Sequence, residues 1–580
     1  MEFKKFAQSL QKLEEEPSRT AMTKLLAQLF EEATASEIEI ISYFSLGSLF
    51  APYQDLQFNI ASKGMIAIIA SLTEKSDSMV QQHFKEVGDL GLVVQDLWHG
   101  KDQGLSVLQV YESLVEIAKI SGTGSTDKKL EHVQKLLSNV DSIGAKFIVR
   151  MITKTLRLGF SDMTILDALS WTVSGDKSHS KDLEAAYNVC ADLGLVAKTL
   201  KEKGVKGIQA MQIHVGIPIR PAAAERLSSP KAIVEKLGNC IAQPKLDGFR
   251  VQVHLKKSGS KTDVHFFSRN MLDMSDMFPE LKAAVADLKV SSLICEGEAI
   301  VYDEDTQTFL PFQQTVKRKR KHDIEQVRQD FPLRLYLFDI LYLNGESLLD
   351  QTHAHRRQVL QKLIKSSNDE ALQIVDEVKI TTAKELEDYF LENIQSGLEG
   401  LVVKREDAIY QPGKRNFNWI KLKREAHGSL LDTIDVVILG YYVGRGKRAK
   451  FGIGAFLVGV YHAKKDQFET VAKVGTGMTD VEWKELKTRC DKIKVHAQPK
   501  NVVCAKELYP DIWIEPELVC TVQSDEITWS PLHSAGKTEK NLGMALRFPR
   551  FVTYRADKSA QDATTVIELQ HLYEQQKVKA

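Results

Sequence analysis

Apolar positions recur at helical spacing through residues 1–220. "AMTKLLAQLFEEA" sets Leu25, Leu26, Leu29 and Phe30 three and four apart, and "LEHVQKLLSNV" and "LEAAYNVCADLGLVAKTL" continue that period. Glycine-containing breaks such as "SGTGSTDKK" (121–129) separate the helices, and Pro17 and Pro52 are the only prolines before Pro218. "GIPIRP" (216–221) then reads as a proline-punctuated linker and hinge. From 222 the pattern shortens to β-rich runs: "FRVQVHL", "DVHFFSR", "SSLICEGEAIVYD", "LRLYLFDILYL" and "GLVVKRE", with helical stretches such as "AKELEDYFLENIQ" between them. After "HGSL" come two apolar strands, "IDVVILGYYVG" and "GAFLVGVYHA", separated by the basic "GRGKRAKFGIG". The patterning predicts a multidomain chain: an all-α N-terminal domain (1–220), an α+β domain (221–427) and a small five-stranded β-barrel (428–580) closed by a helix at "ATTVIELQHLYEQQ". Residues 426–432 are read as a second hinge.

Composition narrows the class without naming a partner. Hydrophobic residues are 43% and charged residues 27% of the 580, as in soluble globular proteins. Lys+Arg and Asp+Glu both number 77, so any nucleic-acid surface must be a local stripe. The six cysteines are scattered without a C-x-x-C pair, which argues against a zinc ribbon or disulfide framework and for a reducing compartment. The charged N-terminus lacks a signal peptide's apolar segment, and no apolar run is long enough to span a bilayer. The expected location is intracellular: cytoplasmic in a prokaryote or archaeon, nuclear in a eukaryote.

Candidate chemistry centres on "IAQPKLDGFR" (241–250). A lysine amine is a nucleophile only when deprotonated, which burial or neighbouring cations promote. Arg250 lies five residues beyond Lys245, and Asp247-Gly248 is a turn signal. In "NWIKLKRE", Lys421 and Lys423 alternate with Ile420 and Leu422, so a strand would turn both ammoniums to one face. By itself "KLDGFR" is equally a surface hairpin. Further segments follow in order: "FFSRN" with Arg269, "CEGEAIVYD" with Glu298, "YLFDILYLNGESL" with Phe338 and Asp339, and "EGLVVKR" with Glu399 and Lys404.

This ordered set resembles the motifs of the covalent nucleotidyltransferases, which include polynucleotide ligases and messenger-RNA capping enzymes. The whole chain is similar to ATP-dependent DNA ligases of the archaeal and eukaryotic replicative type. "GMALRFPRFVTYRADKSAQDATT", "KVGTGMTD" and "PDIWIEP" resemble that family's C-terminal OB-fold domain. "GDLGLVV", "SGTGS" and "VRMITKTLRLGFSDMTILDAL" resemble its DNA-binding domain. The resemblance implies that Lys245 attacks ATP to form lysyl-AMP, and that the adenylate passes to a 5′-phosphate at a nick in duplex DNA. A 3′-hydroxyl then seals the nick, in replication, repair and recombination. It implies an adenylation domain over 221–427 and a nucleotide-binding set of Gln243, Arg250, Arg269, Glu298, Phe338, Arg415, Lys421, Lys423, Arg547 and Arg550. Glu298 and Glu399 are the expected ligands of Mg²⁺, with Mn²⁺ as a substitute.

Several positions keep structural alternatives. Phe338 could be plain core, Asp339 a brace at a strand end, Lys404 a solvated edge residue, and Arg547 and Arg550 members of structural ion pairs. Two positions depart from the family pattern. Gln243 stands where a glutamate usually meets the adenine amine, and its amide could either accept or donate. Val519-Cys520-Thr521-Val522 replaces a segment that often carries a glutamate. DNA contacts are expected from Lys317, Arg318, Lys319 and Arg320, from Arg445, Lys447 and Arg448, and from Ser121 and Gly122. The basic run could instead be a solvated loop or localisation signal, and 121–129 a mere connector. The expected partner is nicked duplex DNA, with the enzyme a monomer. A sliding clamp is a further candidate, although neither end carries a convincing clamp-binding motif. An RNA ligase, a capping-type guanylyltransferase and a catalytically silent DNA-binding scaffold are the competing readings.

Overall fold

The computed structural model describes residues 1–578 except 55, 157, 228, 304–307, 310–331, 368, 397, 424–432, 445 and 540. Lys317, Arg318, Lys319, Arg320, Arg445 and the 426–432 hinge therefore lie outside the described residues. The chain forms two compact units. One comprises residues 1–59, 102–139 and 158–424, and the other 60–101, 140–157 and 425–580.

The first unit opens with helices whose apolar faces are buried. Phe3–Glu15 buries Phe3, Phe6, Leu10 and Leu13, and Arg19–Glu32 buries Met22, Leu26, Leu29 and Phe30. The run 183–200, read as one helical pattern, is two helices, Ser180–Val189 and Leu193–Gln209. Asp192 makes the break: its carboxylate accepts from Leu195 N (2.9 Å), capping the second helix, and from the hydroxyls of Tyr43 (2.5 Å) and Tyr53 (2.6 Å). The segment expected to hinge is tied down. Ile219 is fully buried, its N–H and C=O are both held by the Gln252 amide (2.7 and 3.0 Å), and Gly216 N donates to His254 Nδ1 (3.0 Å).

Two sheets follow, and every β-run predicted between 249 and 404 is found. The larger has Lys261–Ser268, Phe249–Ser258, Ser292–Asp303, Leu333–Leu343 and Glu346–Ser347 in that order. Its neighbours are antiparallel, with Arg250 opposite Glu298. The smaller has the order Ala223–Arg226, Arg415–Lys423, Gly400–Lys404, Cys240–Pro244, Val378–Ile380. Each sheet has its own core, one around Val251, Val253, Leu281 and Leu335, the other around Ile233, Leu386, Val403 and Ile420. A third cluster joins them: Ile219, Ile294 and Leu341 meet Tyr410 and Trp419. The candidate site lies at this seam.

Asp339 braces the seam. Arg356 binds it through Nε (2.7 Å) and Nη2 (3.0 Å), with both side chains almost wholly buried. Burial pushes the Asp339 pKa up, but Arg356, Lys404 and His353 hold it below the usual carboxylate range. Asp339 thus has a bracing contact, from within strand Leu333–Leu343 and not at a strand end.

In the second unit, four helices (Ser62–Thr73, Asp77–Val87, Leu90–Leu97 and Ser142–Ile152) precede the C-terminal sheet. Among the described residues that sheet is a half-barrel of eight strands, not the five expected. Ile434–Tyr442 pairs with Ala455–His462, Ile512–Ile514 and Val519–Gln523. A helix at Asp480–Lys492, unread in the sequence, packs Trp483 and Leu486 into its core, and the closing helix runs Val566–Val578. All six cysteines are free thiols, and among the described residues no helix is long and apolar enough to cross a membrane.

Removing one partner of a buried ion pair strands the other, so Arg356→Ala should destabilise the first unit by about 3–5 kcal/mol in denaturant unfolding. A loss below about 1 kcal/mol would mean that Asp339 is not what fixes the seam.

Candidate active site

Lys245 immediately follows strand Cys240–Pro244, and its N–H donates to Gly400 O (2.9 Å). That bond fixes it beside Glu399, which directly precedes strand Gly400–Lys404. The Glu399 carboxylate is shared: one oxygen accepts from Lys245 Nζ and the other from Lys423 Nζ. Burial pushes its pKa up, but the two ammoniums hold it below the usual range. Gly400 makes the approach possible. Its φ is +143°, and a Cβ would lie 2.2 Å from Leu422 O.

Lys421 and Lys423 share a face of strand Arg415–Lys423, as their alternation predicts, with Leu422 buried between them. Burial lowers the Lys421 pKa, and Lys423, Arg415, Arg269 and Lys245 lower it further. The fold therefore gathers five of the predicted cations in one field. An anion eases such a field: Glu399 pairs with two of its members, and Glu298 interacts with Lys245.

Glu298 faces Lys245 from the larger sheet. It accepts from Gly248 N (3.0 Å), and burial pushes its pKa up to about 7 against the pull of Lys245, Gly248 N–H and Arg250. Gly248 is needed for space more than for a turn, since a Cβ there would lie 2.5 Å from Ala299 O and 3.1 Å from Glu298 Cγ.

Arg250 points elsewhere. Its guanidinium pairs with the buried Glu296 (3.0 Å), donates to Ala222 O (2.9 Å) and lies over Phe338 and Trp419 (5.5 and 5.6 Å to the ring centroids). Phe338 is half-buried, edge-on to Trp419 at 6.1 Å, with the Lys404 ammonium 5.0 Å from its centroid. Lys404 is no solvated edge residue: it is 1% exposed, and burial brings its pKa down to about 8. Gln243 is 2% exposed and donates through Nε2 to Glu377 (3.0 Å).

The remaining candidates lie on local features of their own. Arg547 pairs with Glu526 and Arg550 with Asp525 (2.7 Å each), on strands Gly543–Arg547 and Arg550–Tyr554. Arg448 donates to Gly454 O (2.6 Å) and lies over Trp483, and Lys447 falls in the turn Gly446–Phe451. Ser121 and Gly122 are exposed just before helix Ser125–Leu137. Thr521 donates to Asp435 (2.6 Å), which also pairs with Arg555 and Lys558 (2.8 Å each). Sequence reading missed Glu296, Glu377, Tyr410 and Trp419. Each is defined by a partner on a distant segment, and only Glu296, two residues before Glu298 in an otherwise apolar run, gave a local sign.

Three families match in chain order: "DNA ligase N terminus" over residues 2–170, "ATP dependent DNA ligase domain" over 221–423 and "ATP dependent DNA ligase C terminal region" over 449–558. The "Probable DNA ligase" of Dictyoglomus turgidum is 43% identical over 579 residues, covering 100% of this chain and 98% of that one. "DNA ligase 2" of Thermofilum pendens is 38% identical over 590 residues, covering 98% and 97%. A solved structure titled "Pmar-Lig_PreS3" aligns over 95% of this chain and 99% of its own with a TM-score of 0.54 at 16% identity, a likeness of fold. With a helical N-terminal region, a central adenylation domain and a C-terminal domain, each matched in chain order, the chain belongs to the ATP-dependent DNA ligase family, whose members use ATP to seal nicks in DNA.

Proposed function

We propose that Lys245 is the amine that carries the adenylate and that the seam between the two sheets is the nucleotide pocket. The observation that carries this is the Glu399 carboxylate shared by Lys245 and Lys423 inside a field of five cations. A nucleoside triphosphate is the anion such a field lacks. Lys245 Nζ, once parted from Glu399 and deprotonated, attacks the α-phosphorus. A P–N bond forms as the P–O bond to pyrophosphate breaks. The nicked strand's 5′-phosphate then takes the AMP, breaking the P–N bond. Finally the 3′-hydroxyl oxygen attacks that phosphate and AMP leaves. Catalysis here is positioning and charge neutralisation, the work of Lys421, Lys423, Arg269 and Arg415 around the phosphates. Phe338 is the stacking face for the base, and Arg250, anchored by Glu296, supports that face from beneath.

Glu298 and Glu399 suit Mg²⁺, which characteristically takes one or two carboxylates and completes its shell with phosphate oxygens and water. Bound there, it would supply further neutralisation of the triphosphate. Arg547 and Arg550 are read as further nucleotide contacts, a role that requires each to part from its carboxylate partner. The domain division is 1–220, 221–427 and 428–580, the last of OB-fold type. Ser121, Gly122, Lys447 and Arg448 contact DNA backbones, together with Lys317, Arg318, Lys319, Arg320 and Arg445. The enzyme acts as a monomer inside the cell.

Three outcomes test this reading. With Mg²⁺ and α-labelled ATP, the denatured protein should carry label, and Lys245→Ala should carry none. Equal labelling of the variant would end the assignment. Glu298→Gln should also lose labelling yet gain stability. A carboxyl with a folded pKa near 7 contributes stability below its unfolded value of 4.5 and loses it as pH rises through 7. The variant's melting temperature should therefore exceed the wild type's by more at pH 8 than at pH 5. A gain that shrinks over that range contradicts the burial argument. Binding to nicked duplex should weaken by roughly 10³-fold between about 50 and 200 mM salt. A flat response would exclude backbone contacts as the source of affinity.

A further inference from the structure

The Gln243 side chain leaves one polar choice open, and a neighbour has made it. A glutamine amide can present either its carbonyl oxygen or its NH₂ to a ligand. Here Nε2 donates to Oε2 of Glu377 (3.0 Å), a residue 134 positions away in sequence. An ionised carboxylate only accepts, so Glu377 can be satisfied by the NH₂ face and never by the carbonyl. Glu377 is itself fixed: His353 Nε2 lies 3.3 Å and Arg357 Nε 3.5 Å from its oxygens. Burial pushes its pKa up, but His353, Arg357 and Gln243 hold it below the usual range, so it stays a carboxylate. Gln243 Oε1 is left without a partner among the described residues. Gln243 lies two residues before Lys245, on the same face of the chain as it leaves strand Cys240–Pro244.

We infer that Glu377 is a specificity-positioning residue: it locks the Gln243 amide so that an acceptor, and not a donor, faces the base of the nucleotide. The inference rests on the pocket proposed above. An acceptor at that position pairs with the exocyclic amine of adenine and opposes the carbonyl oxygen of guanine. Leaving a buried polar group unpaired is the costly outcome, so the wrong base is penalised more than the right base is rewarded. Selection for ATP is thus encoded by two residues far apart in sequence. His353 and Arg357 matter to it only through the carboxylate they hold.

The test compares label transfer from α-labelled ATP and GTP to wild type, Glu377→Gln and the double variant Gln243→Glu/Glu377→Gln. In Glu377→Gln, the new amide can donate as well as accept, so Gln243 is free to turn. The ATP-over-GTP ratio should fall about tenfold or more, the worth of one hydrogen bond's discrimination. In the double variant, position 243 carries a carboxylate that accepts whichever way it faces, while the amide introduced at position 377 supplies its donor. The ratio should recover. A merely structural Glu377 would lower both labels together with the ratio unmoved in Glu377→Gln, and this would overturn the inference while leaving the pocket intact. Failure of the wild type to label from either nucleotide would overturn the pocket and the inference together. If Glu377→Gln labels from neither, the double variant decides: ATP selectivity regained supports the inference, and equal labelling from both nucleotides overturns it.

Discussion

A carboxylate caught between two lysine ammoniums organises this molecule's candidate site. Glu399 holds Lys245 and Lys423 at once, and it can do so only because Gly400 lets two strands of the smaller sheet approach without a Cβ between them. Around it the fold collects Lys421, Arg269 and Arg415, like charges whose mutual repulsion the protein tolerates in its resting form. That arrangement is a poor bargain for stability alone and a good one for an anion of high charge. On the function proposed above, a triphosphate relieves the repulsion, and of the two amines bound to Glu399 it is Lys245 that attacks it.

The ground beneath the site is built to a different rule. Asp339 and Arg356 are fully buried and satisfy one another, and Glu296 anchors Arg250 under Phe338 and Trp419. Lys404 sits in the same layer, its ammonium against two aromatic rings. The cations around Glu399 outnumber it, whereas Asp339 with Arg356 and Glu296 with Arg250 form buried pairs. The first arrangement gives reactivity and the second gives the rigidity on which positioning depends.

The local parts of this were legible in the sequence. Period-2 alternation placed Lys421 and Lys423 on one face, and the five β-runs from 249 to 404 are strands. What stayed hidden were relations between distant segments. Gln243 could be recognised as a departure, but its partner Glu377 lies on another segment, and no periodicity connects the two. Lys404 left a solvated-edge reading open in the sequence, yet its strand lies inside the smaller sheet and the rings of Phe338 and Trp419 cover its ammonium. The break at Asp192 was lost because its two tyrosine partners come from residues 43 and 53. The half-barrel's eight strands include two-residue pieces, such as Lys494–Val495 and Val502–Val503, too short to leave a pattern.

Peptide mapping of the protein after reaction with ATP tests the central claim most directly, because lysines 245, 404, 421 and 423 all lie around the same seam and only one is held to be the nucleophile. Fragmentation should locate AMP on Lys245 alone. AMP on Lys404, Lys421 or Lys423 with Lys245 unmodified would contradict the account.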